Sequence, residues 1–154
     1  MSDAPTLLIK SSRFGEFEVA LDSLIQFPSG LIGFSKSQQF VMLEHKQPFN
    51  WLQSIDEPEL AFVVIDGFEL SQQLGMKPPF GDRDSDLKEE DEYAVMLIVT
   101  VRPDAKDSTV NLKAPLFVNL RTRRGVQIIF DDPRFSTRHP LWTEEELKES
   151  EKKE

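Results

Sequence analysis

The sequence predicts an all-β domain, mainly antiparallel, closed or nearly closed into a small barrel. Three observations carry that reading. Short runs of β-branched and aromatic residues recur along the chain, turn signals separate them, and no amphipathic helix is long enough to connect parallel strands. At 154 residues the chain has the size of one domain.

Taken in order, Phe17, Val19 and Leu21 alternate with polar residues, as on a half-buried strand. Leu24–Phe27 is a second apolar run, closed by the turn residues Pro28-Ser29-Gly30. Leu31–Phe34 and Phe40–Leu43 follow, then a strand through Trp51–Gln53. Leu60–Ile65 is apolar on both faces, which places it centrally, and Asp66-Gly67 closes it. Residues 66–92 form a long loop around Pro78-Pro79-Phe80-Gly81, with a helical turn expected near Leu87–Asp91. Tyr93–Val101 is the most hydrophobic strand. Leu116–Leu120 and Val126–Phe130 make a hairpin about a turn at Arg123-Arg124-Gly125. Thr143 followed by three glutamates reads as an N-cap with acids in the first turn, hence a short C-terminal helix. The expected division is a barrel domain over 1–133 and a peripheral acidic tail over 134–154.

Composition narrows the function. There are no cysteines, which excludes disulfides, thiol catalysis and Cys-ligated metals. No apolar run approaches the roughly 20 residues of a membrane span, and MSDAPTLLIKSS lacks the basic and apolar regions of a signal peptide. A cytoplasmic protein is expected. The net charge of −9 is concentrated in two places. Asp82–Glu92 holds seven acids against two bases, and Glu144–Glu154 six against three. Nucleic-acid binding draws on a basic face, so this balance argues against direct RNA or DNA contact and favours a basic protein partner.

Chemistry is hard to place. His45 and His139 stand apart, in no ligand pattern, so neither metal nor cofactor is expected. No nucleophile elbow, P-loop or dinucleotide fingerprint occurs. Gly30-Leu31-Ile32-Gly33 has the spacing of a phosphate-clamping loop, but its apolar middle suits a tight turn. Asp131-Asp132 before Pro133 reads as a turn rather than an acid–base pair. Arg121, Arg123 and Arg124 form the one basic cluster, read as a solvated hairpin end or an internal partner for the acidic loop. A weaker reading makes the cluster an RNA contact, with Trp51 as a stacking platform. A small-molecule binder or enzyme with an internal pocket is the main alternative to a protein-binding role.

Four stretches have more character than packing requires: FPSGLIGF at 27–34, PFNWLQS at 48–54, LAFVVID at 60–66 and TVNLKAPLFVN at 109–119. In the last, Pro115 interrupts strand-forming residues and Asn111 and Asn119 flank it, as in a bent strand whose freed backbone groups are bonded by side-chain amides. In this order, and followed by Gln127-Ile128-Ile129, the stretches resemble the FliW flagellar assembly factor family across roughly residues 13–132. Gly67-Phe68, where the family commonly has proline after the aspartate, and the acidic segment at 75–92 depart from the family pattern.

The resemblance implies a small, mainly β protein without enzymatic activity. It also implies two protein partners, flagellin and the translational regulator CsrA. Binding CsrA relieves repression of the flagellin message. The regulator, which must carry a basic RNA-binding surface, is expected to meet Asp82, Asp84, Asp86, Glu89 and Glu90. Flagellin is expected on the polar positions Gln53, Asn111 and Asn119, unless those amides serve only the strand bend.

Overall fold

The protein is represented by a computed structural model that describes residues 5–46, 48–142 and 146. The N-terminal strands β1 (Thr6–Ser11) and β2 (Gly15–Ala20) pair only with each other, as an antiparallel ribbon. Then come β3 (Leu24–Gln26), β4 (Gln39–Glu44), β5 (Phe49–Ser54), β6 (Ala61–Asp66), the helix α1 (Phe68–Gln73) and β7 (Tyr93–Thr100). The chain continues with β8 (Thr109–Val110), β9 (Leu116–Asn119), β10 (Arg124–Gln127) and β11 (His139–Pro140).

Strands β7, β6, β5, β4, β3, β10 and β9 are hydrogen-bonded in that order, and β9 returns to β7, closing the ring. Every junction is antiparallel except β3–β10, a short parallel contact at Gln26 and Arg124. The inward face is apolar. Ile25, Phe40, Leu52, Val64, Met96 and Val118, from six different strands, join one buried cluster with Phe27 and Leu31. Strand β10 supplies Gly125, where a Cβ would stand 2.6 Å from the Phe27 ring.

A second core lies on the outer face of the β7–β9 wall, where Val95, Leu97 and Phe117 are covered by Met76, Leu112 and Phe135. Two cores explain why Leu60–Ile65 lacks a polar face: Val64 enters the lumen while Val63 and Ile65 pack against the outer core. The approach of Phe135, together with the pairing of β11 on β8, attaches the segment beyond Pro133 to this wall.

The run TVNLKAPLFVN lies along one edge of β7 and is broken in the middle. From Val99 to Met96 is three residues on β7, but their partners Val110 and Leu116 are six apart, so three residues bulge out. The bulge buries Leu112, whose N–H donates to the Ser136 carbonyl at 2.9 Å. Asn111 folds the bulge: its Oδ1 accepts from Lys113 N and Ala114 N, both at 3.0 Å. Pro115 stands just before β9, where no ladder donor is needed.

Several boundaries differ from the sequence expectation. The minor helix is α1, started where Asp66 Oδ1 accepts from Phe68 N at 2.9 Å, and not at 87–91. There, Asp91 Oδ2 accepts from Lys88 N and the peptide returns as a single turn. The hairpin turn lies before Arg124, not across Arg123–Gly125, because Arg123 takes the left-handed conformation at φ 57° and Arg124 already pairs with Asn119. Leu21 follows β2 in a short 3-10 turn, and Leu31–Phe34 is a tight turn joined by a single bridge. The ribbon strand β1 has no counterpart among the expected elements. The C-terminal helix expected from Thr143 lies outside the described residues apart from Glu146.

Gly30, in that tight turn, has φ +71°, and a Cβ there would sit 2.6 Å from Ser35 Cα. Gly33 is also left-handed, at +84°, but has open space around it. Gly33→Ala should therefore cost only the conformational penalty of about 1–2 kcal/mol. Gly30→Ala should cost about 2–4 kcal/mol because a backbone clash is added. Urea denaturation of the two variants measures the difference.

Candidate partner-binding surface

The acidic loop is a folded structure pinned to the hairpin end of the barrel. Asp82 Oδ2 accepts from Ser85 N at 3.0 Å and from Ser85 Oγ at 3.1 Å, and Asp86 N donates back to Asp82 O at 2.9 Å. This tight turn leaves Asp86 left-handed at φ 52° and buries Ser85 and Leu87 against the barrel. Asp84 accepts from Ser29 Oγ.

Asn119, at the end of the ring-closing strand β9, holds the loop down. Its amide is fully buried, and its Nδ2 donates to Ser85 O at 3.0 Å, with Asp91 Oδ2 at 3.1 Å and Asp86 O at 3.2 Å sharing its hydrogens. Its Oδ1 accepts from Arg121 N at 2.9 Å. Arg121 then grips Asp91 with two bonds, Nε to Oδ1 at 2.8 Å and Nη2 to Oδ2 at 3.0 Å. Nη2 also reaches the Asp86 carbonyl at 3.0 Å. The Arg121 guanidinium, aided by the Lys88 N–H, holds the Asp91 carboxyl well below the usual carboxylate range, and Arg121 is raised in return. Asp91 is thus fixed as an anion facing Arg121, which leaves it unsuited to general acid or base work near neutrality.

Of the acids singled out from sequence, Asp82, Asp84 and Asp86 therefore fold the loop, and Asp86 also faces Arg121 and Arg124. Glu89 and Glu90 stay exposed, joined by Glu92. The basic cluster is the loop's internal partner: Arg121 and Arg124 meet its acids, and Arg123 Nη2 donates to Ser23 O at 2.8 Å. Gln53 is also fully buried. Its Oε1 accepts from Ser11 Oγ at 2.8 Å and its Nε2 reaches the carbonyls of Ser54, Pro58 and Leu60, fastening the β1–β2 ribbon to the barrel. Gln53 and Asn119 present no atom to solvent, and Asn111 is occupied by its own turn. Trp51 stacks under Arg13, with the guanidinium carbon 4.5 Å from the ring centroid.

Beside the loop the ring opens as a groove of about 690 Å3. Met42, Asn50, Val64, Ala94 and Met96 form its floor, and Phe68, Tyr93 and Leu120 its walls. Asp66, Asp91 and Glu92 stand at its rim. Sequence reasoning missed these residues, because no local pattern says that the first residue of a helix and the tip of a hairpin flank one opening. Among the described residues no cluster of histidine and carboxylate side chains has the grouping of a metal site.

The FliW family model matches residues 8–141. This chain belongs to the FliW family. The flagellar assembly factor FliW of Natranaerobius thermophilus is 40% identical, covering 91% of this chain and 95% of that protein. That of Caldicellulosiruptor bescii is 36% identical over 88% of this chain. A crystal structure of a flagellar assembly factor FliW superposes with a TM-score of 0.75 at 30% identity, spanning 90% of this chain and 99% of the other. The fold of this FliW protein is accordingly the family fold, a mostly β protein built on a closed barrel.

Asn119→Ala would take one donor each from the Ser85 and Asp86 carbonyls, which keep Thr122 Oγ1 and Arg121 Nη2. It would also empty a fully buried site that accepts from Arg121 N, so it should cost about 1–3 kcal/mol. The depressed Asp91 carboxyl contributes stability that is whole above the ordinary carboxylate pKa, near 3.9, and is lost as pH falls from there through the depressed value. Asp91→Asn should be less stable than the parent at neutral pH, and the gap should start to narrow only below about pH 4 and go on narrowing with further acidification. Thermal unfolding across that range checks this.

Proposed function

We propose that this FliW protein serves flagellar assembly through protein–protein contact in the cytoplasm, binding flagellin and, separately or in competition, the translational regulator CsrA. Bound CsrA no longer represses the flagellin message, and flagellin that occupies this protein releases CsrA. The relatives' printed description as flagellar assembly factors supports the process, and the family resemblance supports the two partners. One structural observation carries the choice of surface: Glu89, Glu90 and Glu92 stand exposed on a loop whose other acids are committed to holding it in shape. A charged surface that is already ordered binds with little further loss of conformational freedom. A basic partner is steered to it by complementary potential.

No helix among the described residues is long and apolar enough to cross a membrane. Flagellin has a separate surface in this reading. Because Gln53 and Asn119 are buried, substituting them should alter flagellin binding only by loosening the loop or the ribbon.

Calorimetric titration with purified CsrA, at low and moderate salt, tests the proposal. Affinity should fall as salt rises. Glu89→Lys with Glu90→Lys should weaken binding by roughly tenfold and flatten the salt dependence, since both charges are reversed at an exposed rim. Equal affinity in parent and variant would move the regulator off this loop. Flagellin binding without any CsrA binding would remove the regulatory half of the proposal.

A further inference from the structure

The groove at the open end of the barrel is unusual in what stands around it. Phe27, Leu31 and Phe40 fill much of the ring interior, and at this end Val64 and Met96 are buried too, but Met42, Asn50 and Ala94 keep part of their surface open to the groove. Two large apolar side chains stand in solvent on either side: Phe68, 40% exposed, and Leu120, 43% exposed. They are held in place. Phe68 packs against Tyr93 with ring centroids 5.3 Å apart, and Gln72 Nε2 donates to the Tyr93 hydroxyl at 2.9 Å. Leu120 N donates to Glu92 O at 3.1 Å, which fixes the hairpin tip to the rim. An ordered apolar opening with exposed walls is the form of a pocket that takes an anchor side chain.

The charge at the rim says what accompanies that anchor. Among the described residues that line the groove there are three carboxylates and no lysine or arginine. Asp91 is committed to Arg121, which leaves Asp66 and Glu92, both exposed, to face a ligand. Asp66 uses only Oδ1 on the helix start. These carboxylates repel an anionic ligand and attract a cation placed beside the anchor, so the rim favours a basic partner.

We propose that this groove docks a basic amphipathic protein segment, with an apolar anchor side chain seated over Met42 and Ala94 between Phe68 and Leu120 and flanking lysines or arginines meeting Asp66 and Glu92. The spacing of such residues on one face of a helix suits a groove of this kind. The inference rests on the partner-binding reading above and deepens it. The groove supplies the apolar half of a surface whose acidic half is Glu89, Glu90 and Glu92, and the Glu92 side chain belongs to both.

Nitrogen-15 resonance titration with three synthetic helical peptides tests this: one of leucine and lysine, one of leucine and glutamate, and one of serine and lysine. The leucine–lysine peptide should shift the Tyr93, Ala94 and Leu120 amides. Leu120→Ser and Glu92→Lys, both at exposed positions, should each weaken it by about tenfold. Equal binding of the leucine–glutamate peptide would overturn the charge requirement, and equal binding of the serine–lysine peptide would overturn the anchor. Shifts confined to other surfaces, or no binding of any peptide, would overturn the site. Self-association of the parent that Leu120→Ser abolishes would make a second copy the occupant and also overturn it. The two readings fail separately. If Leu120→Ser leaves CsrA affinity intact while the loop reversal weakens it, the partner reading stands and the groove does not. If the peptide binds and CsrA does not, the groove stands alone.

Discussion

Pairing of Tyr93–Met96 with Leu116–Asn119 is the constraint on which the rest of this FliW structure depends. It converts an open sheet into a ring, removes two strand edges that would otherwise invite association, and creates an inside and an outside for every residue of the wall. Once the ring is closed, Phe27, Phe40 and Leu52 have a common interior, and Val95, Leu97 and Phe117 must find a second cover outside. The bulge at 111–115 follows from the same pairing. Strands β8 and β9 share one edge of β7, and the extra residues let Leu112 reach the outer core without disturbing either ladder.

The closing strand also organises the surface. Its last residue, Asn119, is where the barrel's backbone order is handed to the acidic loop, and Arg121 two residues on completes the attachment. Charges that look alike in sequence are sorted by this contact. Asp91 has a side chain only 6% exposed and sits against a guanidinium, while Glu89 and Glu90 face water. Attraction within the molecule thus holds the loop in a shape that displays the remaining negative charge. The groove beside it adds an apolar component that charge alone would lack, and a surface with both features discriminates more sharply than either by itself.

Much of this was legible beforehand. Alternation at Phe17, Val19 and Leu21, and short apolar runs bounded by turn residues such as Phe40–Leu43 and Tyr93–Val101, show where strands lie, because both patterns are local properties of the chain. The all-β class, the central place of Leu60–Ile65, the break at Pro115 and the membership of the FliW family could all be read from residues close together in the chain. So could the pairing of the arginine cluster with the acidic loop, at the level of opposite charges.

The sequence by itself could not say which carboxylate faces which arginine, that Gln53 and Asn119 are buried, or that Phe68 and Leu120 flank one opening. Each of these depends on residues brought together across long separations: Gln53 with Ser11, Asn119 with Ser85, Leu120 with Glu92. Polar side chains such as asparagine and glutamine are equally at home on a surface or saturated in a core, and only the supply of partners decides between the two. That supply is set by ring closure, a non-local event with no periodic signature. The fold class was therefore determined locally, whereas the division of the acids into those that hold the loop and those that face a partner was decided only by the tertiary structure.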